Sequence, residues 1–418
     1  MKVYPWLVGG YEGRLKKRPI VAVDAGSFEI RVLVAEENEE GNLRFCAWGE
    51  AESKGWKKGG IINLESAEAS LRKAMEAAEA MYGGPIEHVV MGLGASQVRG
   101  VNAHGGINIS SRHREIQRED ARRAVEEARR VNLPPDREIL HVVPQEYTLD
   151  SYEGIRDPVG MMGGRLEVNV HVITVSGAAR MNVIAVANHA GLIVEETVFE
   201  ALAAAEAALR GDERELGVVL ADIGAGSTEV AAYHRGALQH TFTVAVGGDH
   251  FTNDIAVGLR APIPEAERIK CDFGVAMREM AGASVLIEVP RVGDRTSRLV
   301  PQVELAEILQ PRAQELIELI HAELRRAGLD RHSIAGMVFT GGGSRLAGLC
   351  DLAEQTLNVT ARIGLAPELE GAPESLCEPF NTTLMGLLHY AQRLRQARQG
   401  KDEGWLDKVK RYVIGGWN

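Results

Sequence analysis

Several features that would place this chain outside an ordinary reducing, aqueous compartment are missing from its sequence. Its four cysteines, Cys46, Cys271, Cys350 and Cys377, lie far apart and form no Cys-x-x-Cys pair. Neither a disulfide framework nor a zinc site is therefore indicated. No run of about 20 apolar residues is present to cross a bilayer. The N-terminal region carries a basic cluster, Arg14, Lys16, Lys17 and Arg18, but not the long apolar stretch that follows the charged start of a secretory signal. Basic charge is in deficit as well, since 47 Lys and Arg against 58 Asp and Glu give a formal charge of −11. Such a body repels nucleic acid and anionic lipid alike, so any affinity for a polyanion has to be local. The expectation is a cytoplasmic protein with no nucleic-acid partner.

The chain's 418 residues exceed the roughly 250–300 over which one hydrophobic core keeps growing, so at least two lobes are expected. A quarter of the residues are charged and 45% are hydrophobic, the proportions of a folded globular protein. Two segments far apart in the chain share one design. Val21-Ala-Val-Asp-Ala-Gly-Ser-Phe-Glu-Ile-Arg-Val-Leu-Val34 and Val218-Val-Leu-Ala-Asp-Ile-Gly-Ala-Gly-Ser-Thr-Glu-Val-Ala-Ala-Tyr233 each read as an apolar strand ending in Asp, a glycine-containing turn with Ser, and a second apolar strand. Each reads as a β-hairpin. Glycine at the tip lets backbone N–H groups close on an anion, and the Asp can hold Mg²⁺ through water. Either hairpin alone fits a tight polar turn equally well, but two related copies suit a clamp around a nucleoside triphosphate. A third segment, Val338-Phe-Thr-Gly-Gly-Gly-Ser-Arg-Leu346, reads as a strand, a triple-glycine turn and a helix start, where backbone can approach a flat adenosine.

These three elements, in this order, resemble the actin, heat-shock chaperone and sugar-kinase superfamily. The resemblance implies two lobes with βββαβα cores and ATP with Mg²⁺ between them. It assigns the nucleotide to Asp24, Gly26, Ser27 and Phe28 of the first hairpin, Asp222, Gly224, Gly226, Ser227 and Thr228 of the second, Gly247, and Gly341, Gly342, Gly343 and Ser344 of the third segment. Asp24 and Asp222 would hold the metal. Glu267 and Lys270, in Pro264-Glu-Ala-Glu-Arg-Ile-Lys270, match the pair that meets ribose or adenine, although Glu and Lys at this spacing also form an ordinary helix ion pair. Glu200, opening the alanine-rich stretch Thr197–Glu206, is the candidate for aligning a water on the γ-phosphate, with Asp222 beside it as the second catalytic candidate. Glu200 equally fits a surface acid in the first turn of a helix. Many members of the superfamily have a phosphate-binding Lys where this chain has Glu29. Arg31 lies two residues on, on the same face of the strand. Competent nucleotide binding with at most slow hydrolysis is therefore expected.

Within the superfamily, Val142-Val-Pro-Gln-Glu-Tyr-Thr-Leu-Asp150 and the run Gly154–Thr174 look like the bacterial cell-division FtsA family. Lys57-Lys-Gly-Gly-Ile61, Asp212-Glu-Arg-Glu-Leu-Gly217 and Val246-Gly-Gly-Asp-His-Phe-Thr-Asn-Asp-Ile255 support the match. The implied fold is an α/β, actin-like two-lobed ATPase with an inserted 1C subdomain and a C-terminal amphipathic helix. Its divisions run as an extension (1–17), subdomain 1A (18–96 and 174–215), the inserted 1C (97–173), subdomain 2A (216–255 and 334–390, the latter returning to 1A), 2B (256–333), a linker (391–403) and the terminal helix (404–418). The inserted subdomain would serve contacts with later division proteins. Its stretch Arg118–Arg130 reads as a helix with opposite charges at i, i+4, which also fits a merely solvated face. Arg298 and Arg312 fall where the family meets the acidic tail of FtsZ, the tubulin-like ring protein, a task that suits arginine's fork. Both fit ordinary surface arginines too.

The last segment has a pattern of its own. At 100° per residue, Trp405, Leu406, Val409, Tyr412, Val413 and Trp417 share one side, while Asp407, Lys408, Lys410 and Arg411 ring the rest. Three basic residues against one acidic suit an anionic leaflet, and Trp and Tyr suit the headgroup boundary. The reading is a peripheral anchor on the inner face of the cell membrane at the division site, where a homopolymer multiplies weak lipid contacts into firm ones. Folding of this helix back onto the body is the alternative for the tail. For the whole chain, the alternatives are an FtsA-like component of type IV pilus assembly and a sugar-kinase-type phosphotransferase.

Overall fold

The computed structural model describes residues 18–57, 59–94, 98–109, 114–290, 297–332 and 335–399. The expected N-terminal extension and the amphipathic helix at 404–418 lie outside these residues. Two five-stranded sheets organise the body, and they have the same plan. In the first lobe, Leu43–Glu52, Glu29–Glu37 and Ile20–Ala25 run antiparallel, and His88–Leu93 and Ile193–Phe199 continue in parallel. In the second lobe, Ala237–Val244, Thr228–His234 and Val218–Ile223 are antiparallel, followed in parallel by Met337–Thr340 and Ala361–Ile363.

The continuous apolar runs of the sequence are explained by burial on both faces. Val21, Val23 and Ala25 point into a core shared with helix Leu64–Tyr82, while Ile20 and Ala22 point into a second core built by Leu384, Leu387 and Leu388 of helix Thr382–Gln399. That last helix returns from the second lobe to the first and crosses helix Glu200–Ala208. At the crossing a Cβ on Gly386 would lie 1.8 Å from the Ala203 carbonyl oxygen, so only glycine permits the approach. The linker expected to begin at 391 is helical through Gln399. Its Gln, Arg, Leu and Ala favour helix, Leu394 is buried, and Arg395 donates to the Pro19 carbonyl at 2.6 Å.

Between the strands of the first lobe a third sheet is inserted: Arg99–Asn108, Arg165–Ser176, Arg137–Leu149 and Tyr152–Ile155, all antiparallel. Helix Arg118–Ala128 covers one face with Ala121, Ala124, Val125 and Ala128. Its charges form pairs such as Glu127 with Arg130 at 2.8 Å, at i, i+3 rather than the expected i, i+4. The outer second lobe comprises helices Gly248–Leu259, Ile263–Phe273 and Gln302–Arg326 with the hairpin Leu286–Pro290 and Ser297–Pro301. Among the described residues no helix is long and apolar enough to cross a membrane.

Candidate functional site

The two hairpins face each other across a cleft of about 430 Å³. Register decides what they present. In the first, Asp24 lies directly across from Arg31; in the second, Asp222 lies directly across from Glu229. Cross-strand partners project on the same face, so each Asp enters the cleft with the residue seven positions later beside it. The turn residues Gly26, Ser27 and Phe28, and Gly224, Gly226 and Ser227, line the same space, as do Gly341, Gly342, Gly343, Glu200, Glu267 and Lys270. Gly341 has φ of 79°, and a Cβ there would sit 2.3 Å from Asp222 Oδ1. That backbone approach requires glycine.

Three expected residues do not line the cleft. Thr228 is buried and donates to the Val246 carbonyl at 2.8 Å. Ser344, also buried, donates to the Gly341 carbonyl at 2.7 Å and so closes its own turn. Gly247 packs behind the second turn, where any Cβ would strike the Gly224 and Ala225 carbonyls. The expected helix start after the triple glycine is also corrected. Gly342–Arg345 is a single 3₁₀ turn, and the α-helix opens only at Leu349, after Gly348 with φ of 77°.

Charge in the cleft is lopsided. Among the described residues, Asp24, Glu29, Glu50, Glu200, Asp222, Glu229, Asp249 and Glu267 line it against Arg31, Lys270 and Arg345. Burial pushes the Asp222 carboxyl up to about 6, and neighbouring Asp24 adds to this, while a hydrogen bond from Thr383 Oγ1 at 2.5 Å and the charge of Arg31 oppose it. Asp24 is raised by burial and partly relieved by Arg31. Glu200, the first residue of helix Glu200–Ala208, is raised well above the carboxylate range by burial and then by Glu229, Asp24 and Asp222. A Cβ on Gly94 would lie 2.0 Å from Glu200 Oε2 and 2.5 Å from Glu229 Oε1, so those two oxygens are no more than 4.5 Å apart. Glu200 is partly buried and faces the cleft rather than the outer surface.

Glu267 behaves oppositely. Burial disfavours its charge, but Lys270 Nζ at 2.7 Å and the Thr252 hydroxyl outweigh burial and hold it below its ordinary range. Lys270 also donates to the Gly248 carbonyl at 3.1 Å and to Thr252 Oγ1 at 2.9 Å. Arg298 and Arg312 lie away from the cleft, against helix Gly248–Leu259. Arg312 pairs with Asp254 at 2.7 Å, and Arg298 reaches the Leu259 carbonyl at 3.4 Å and Glu304 at 3.7 Å. Thr383, Phe380, Arg345 and Glu229 also line the cleft without having been anticipated. Aligning the two repeats at their seventh residue would have found Glu229.

Among the described residues, no group of three or more His, Cys, Asp and Glu side chains is arranged to hold a metal ion by itself. Two Asp at the strand ends, surrounded by uncompensated negative charge, fit a cation held mainly through water and a ligand's oxygens.

Residues 219–386 match the family model of the cell division protein FtsA, and residues 95–174 match that of the SHS2 domain inserted in FtsA. The cell division protein FtsA of Pseudomonas aeruginosa is 39% identical over 371 residues, which cover 89% of this chain and 88% of that protein. Its Escherichia coli counterpart is 34% identical over 408 residues, 96% of each chain. The chain belongs to the FtsA family of cell-division proteins. The SHS2 match of this FtsA-family chain spans the third sheet. Its fold is actin-like. A protein solved as "PilM-PilN type IV pilus biogenesis complex" superposes with a TM-score of 0.64 at 16% identity, covering 89% of this chain and 98% of that one. MreB5 of Spiroplasma citri bound to ADP gives 0.57 at 14%, covering 92% and 99%. Both likenesses are of fold alone.

Proposed function

We propose that this FtsA-family protein binds ATP with Mg²⁺ between its lobes and uses the nucleotide to control its assembly into a polymer on the inner face of the cytoplasmic membrane. There it tethers FtsZ and recruits later division proteins. The observation that carries the nucleotide reading is the pair of Asp-bearing hairpins facing each other, with a third glycine turn, across one cleft. Asp24 and Asp222 would hold the metal's water shell. Bound there, magnesium would supply positive charge to the phosphates. The hairpin turns would offer backbone N–H groups to the phosphates, and Glu267 and Lys270 would meet the nucleoside. Glu200 would orient a water, and a carboxylate at Glu29 in place of a phosphate-binding lysine supports slow turnover. In this reading residues 404–418 lie on anionic lipid, Arg298 and Arg312 meet the acidic tail of FtsZ, and the inserted subdomain, about 97–173, docks later partners.

Co-sedimentation of the full chain with anionic vesicles tests this. Pelleting that rises with ATP and Mg²⁺, falls when residues 404–418 are removed and carries FtsZ tail peptide with it is expected. Full-length protein that stays in the supernatant with saturating ATP and Mg²⁺ would overturn the tether. Pelleting without retention of the peptide would overturn the FtsZ assignment.

A further inference from the structure

Among the described residues three cations line the cleft, and two of them are placed differently from the third. Lys270 is held by Glu267, Thr252 and a backbone carbonyl. Arg345 is 60% exposed and stands 3.8 Å from Glu378. Arg31 is different. It projects from the middle of the first hairpin directly across from Asp24, and its side chain is only 14% exposed. One terminal nitrogen donates to Glu29 at 2.5 Å and the other to the Phe380 carbonyl at 2.9 Å. Its carbon lies 4.8 Å above the Phe380 ring, which fixes the plane of the guanidinium. Its Nε is buried and has no hydrogen-bond partner among the described residues.

A buried guanidinium with an unmet donor is costly unless something else completes it. The group is pre-oriented and has a fork that matches paired anionic oxygens. It stands across the hairpin from Asp24 and lines the same cleft as Asp222, so an anion bridged to them by a divalent cation arrives next to it. Its partner Glu29 is 30% exposed, so solvent screens that pairing at one edge.

We infer that Arg31 is the side chain that meets the phosphate chain of the bound nucleotide, standing in from the next same-face position for the cation that Glu29 displaces. The inference rests on the nucleotide reading above. It makes the first hairpin, rather than Lys270 or Arg345, the side of the cleft that discriminates by phosphate number.

Calorimetric titration of the full chain with ATP, ADP and adenosine in the presence of Mg²⁺ tests it. Arg31→Ala is expected to weaken ATP by about 10- to 100-fold, the range for a lost hydrogen bond to a charged group. Adenosine affinity should change less than about twofold, and Arg31→Lys should recover part of the ATP loss. A purely structural role, clamping Phe380, would weaken ATP and adenosine equally or neither, and either result overturns the inference. If Arg31→Ala does not fold, Arg31→Gln keeps an amide donor for the Phe380 carbonyl and gives the same ratio without the charge. Wild-type protein that binds none of the three ligands would overturn the nucleotide reading and this inference with it. Binding of all three with an unchanged ratio in the variants overturns the inference alone.

Discussion

The two hairpins are copies in backbone and opposites in charge. Each strand ends in an Asp, each turn carries glycine and serine, and each Asp faces the residue seven positions on. In the first hairpin that residue is Arg31 and in the second it is Glu229. Arg31 relieves Asp24, whereas Glu229, 4% exposed, adds its charge beside Glu200. Duplication has therefore kept the geometry that brings two carboxylates to one cleft, while the facing positions have diverged into a cationic side and an acidic one. Backbone constraints explain what is shared, because a strand end and a tight turn allow few alternatives. Nothing in the backbone constrains the sign of the charge across from the Asp.

The largest effect should come from removing the shared feature. Asp222→Asn is expected to lower Mg²⁺-dependent ATP affinity by about 100-fold, or about 2.7 kcal/mol, in calorimetric titration. The same substitution should stabilise the protein without ligand. Burial raises the Asp222 carboxyl from 3.8 to about 6, so the folded form prefers the proton. Below about pH 4 folded and unfolded states are both protonated and the group is neutral to stability. As pH rises from about 4 to 6 the unfolded state releases this proton first, and a penalty develops that levels off above 6 at no more than about 3 kcal/mol. Melting in EDTA should therefore show Asp222→Asn above wild type at pH 7.5 and equal to it near pH 4. A variant that is less stable at both values would mean that Thr383 and Arg31 already satisfy the charge.

A smaller effect isolates the acidic side. Glu229→Gln removes one of the charges that raise Glu200, so the ionisation of Glu200 moves to lower pH. If Glu200 must be ionised to orient water, the acid limb of ATP turnover shifts to lower pH, measured by phosphate release across a pH series. A limb that stays in place would separate Glu229 from the chemistry and leave burial with Asp24 and Asp222 as the reasons for the raised carboxyl.

Only half of this contrast is legible in the sequence, since Glu229 emerges only when the two repeats are aligned. The apolar runs ending in Asp-x-Gly were legible because a strand buried on both faces leaves few residue choices, and Arg31 could be placed on the face of Glu29 by simple alternation. The Ser344 and Thr228 hydroxyls turn away from the cleft because each finds a backbone carbonyl nearby, Gly341 in the same turn for Ser344 and Val246 just past the end of the neighbouring strand for Thr228. Thr383 left no signal. It reaches Asp222 across 161 residues of chain, and its place depends on how helix Thr382–Gln399 packs on Glu200–Ala208. The extent of that helix was also missed, since its polar end reads as linker until Leu394 is seen to be buried and Arg395 to hold Pro19.

The smallest effect bears on the cationic side. Glu29 is 30% exposed and its pairing with Arg31 is open to solvent at one edge, so the pair contributes no more than about 1 kcal/mol to folding. Glu29→Gln keeps a hydrogen-bond acceptor for Arg31 while removing a carboxylate from the space that the proposed function gives to phosphates. Two consequences follow with the same sign, because the repulsion of the incoming phosphates falls and the guanidinium recovers charge. ATP affinity should rise about two- to threefold, with the gain shrinking as salt screens the half-exposed charge, while the melting temperature changes little. Adenosine affinity should not move. A loss of ATP affinity would mean that the carboxylate's main effect is to hold Arg31 in place, and the first hairpin would then owe its cationic character to the pair rather than to Arg31 alone.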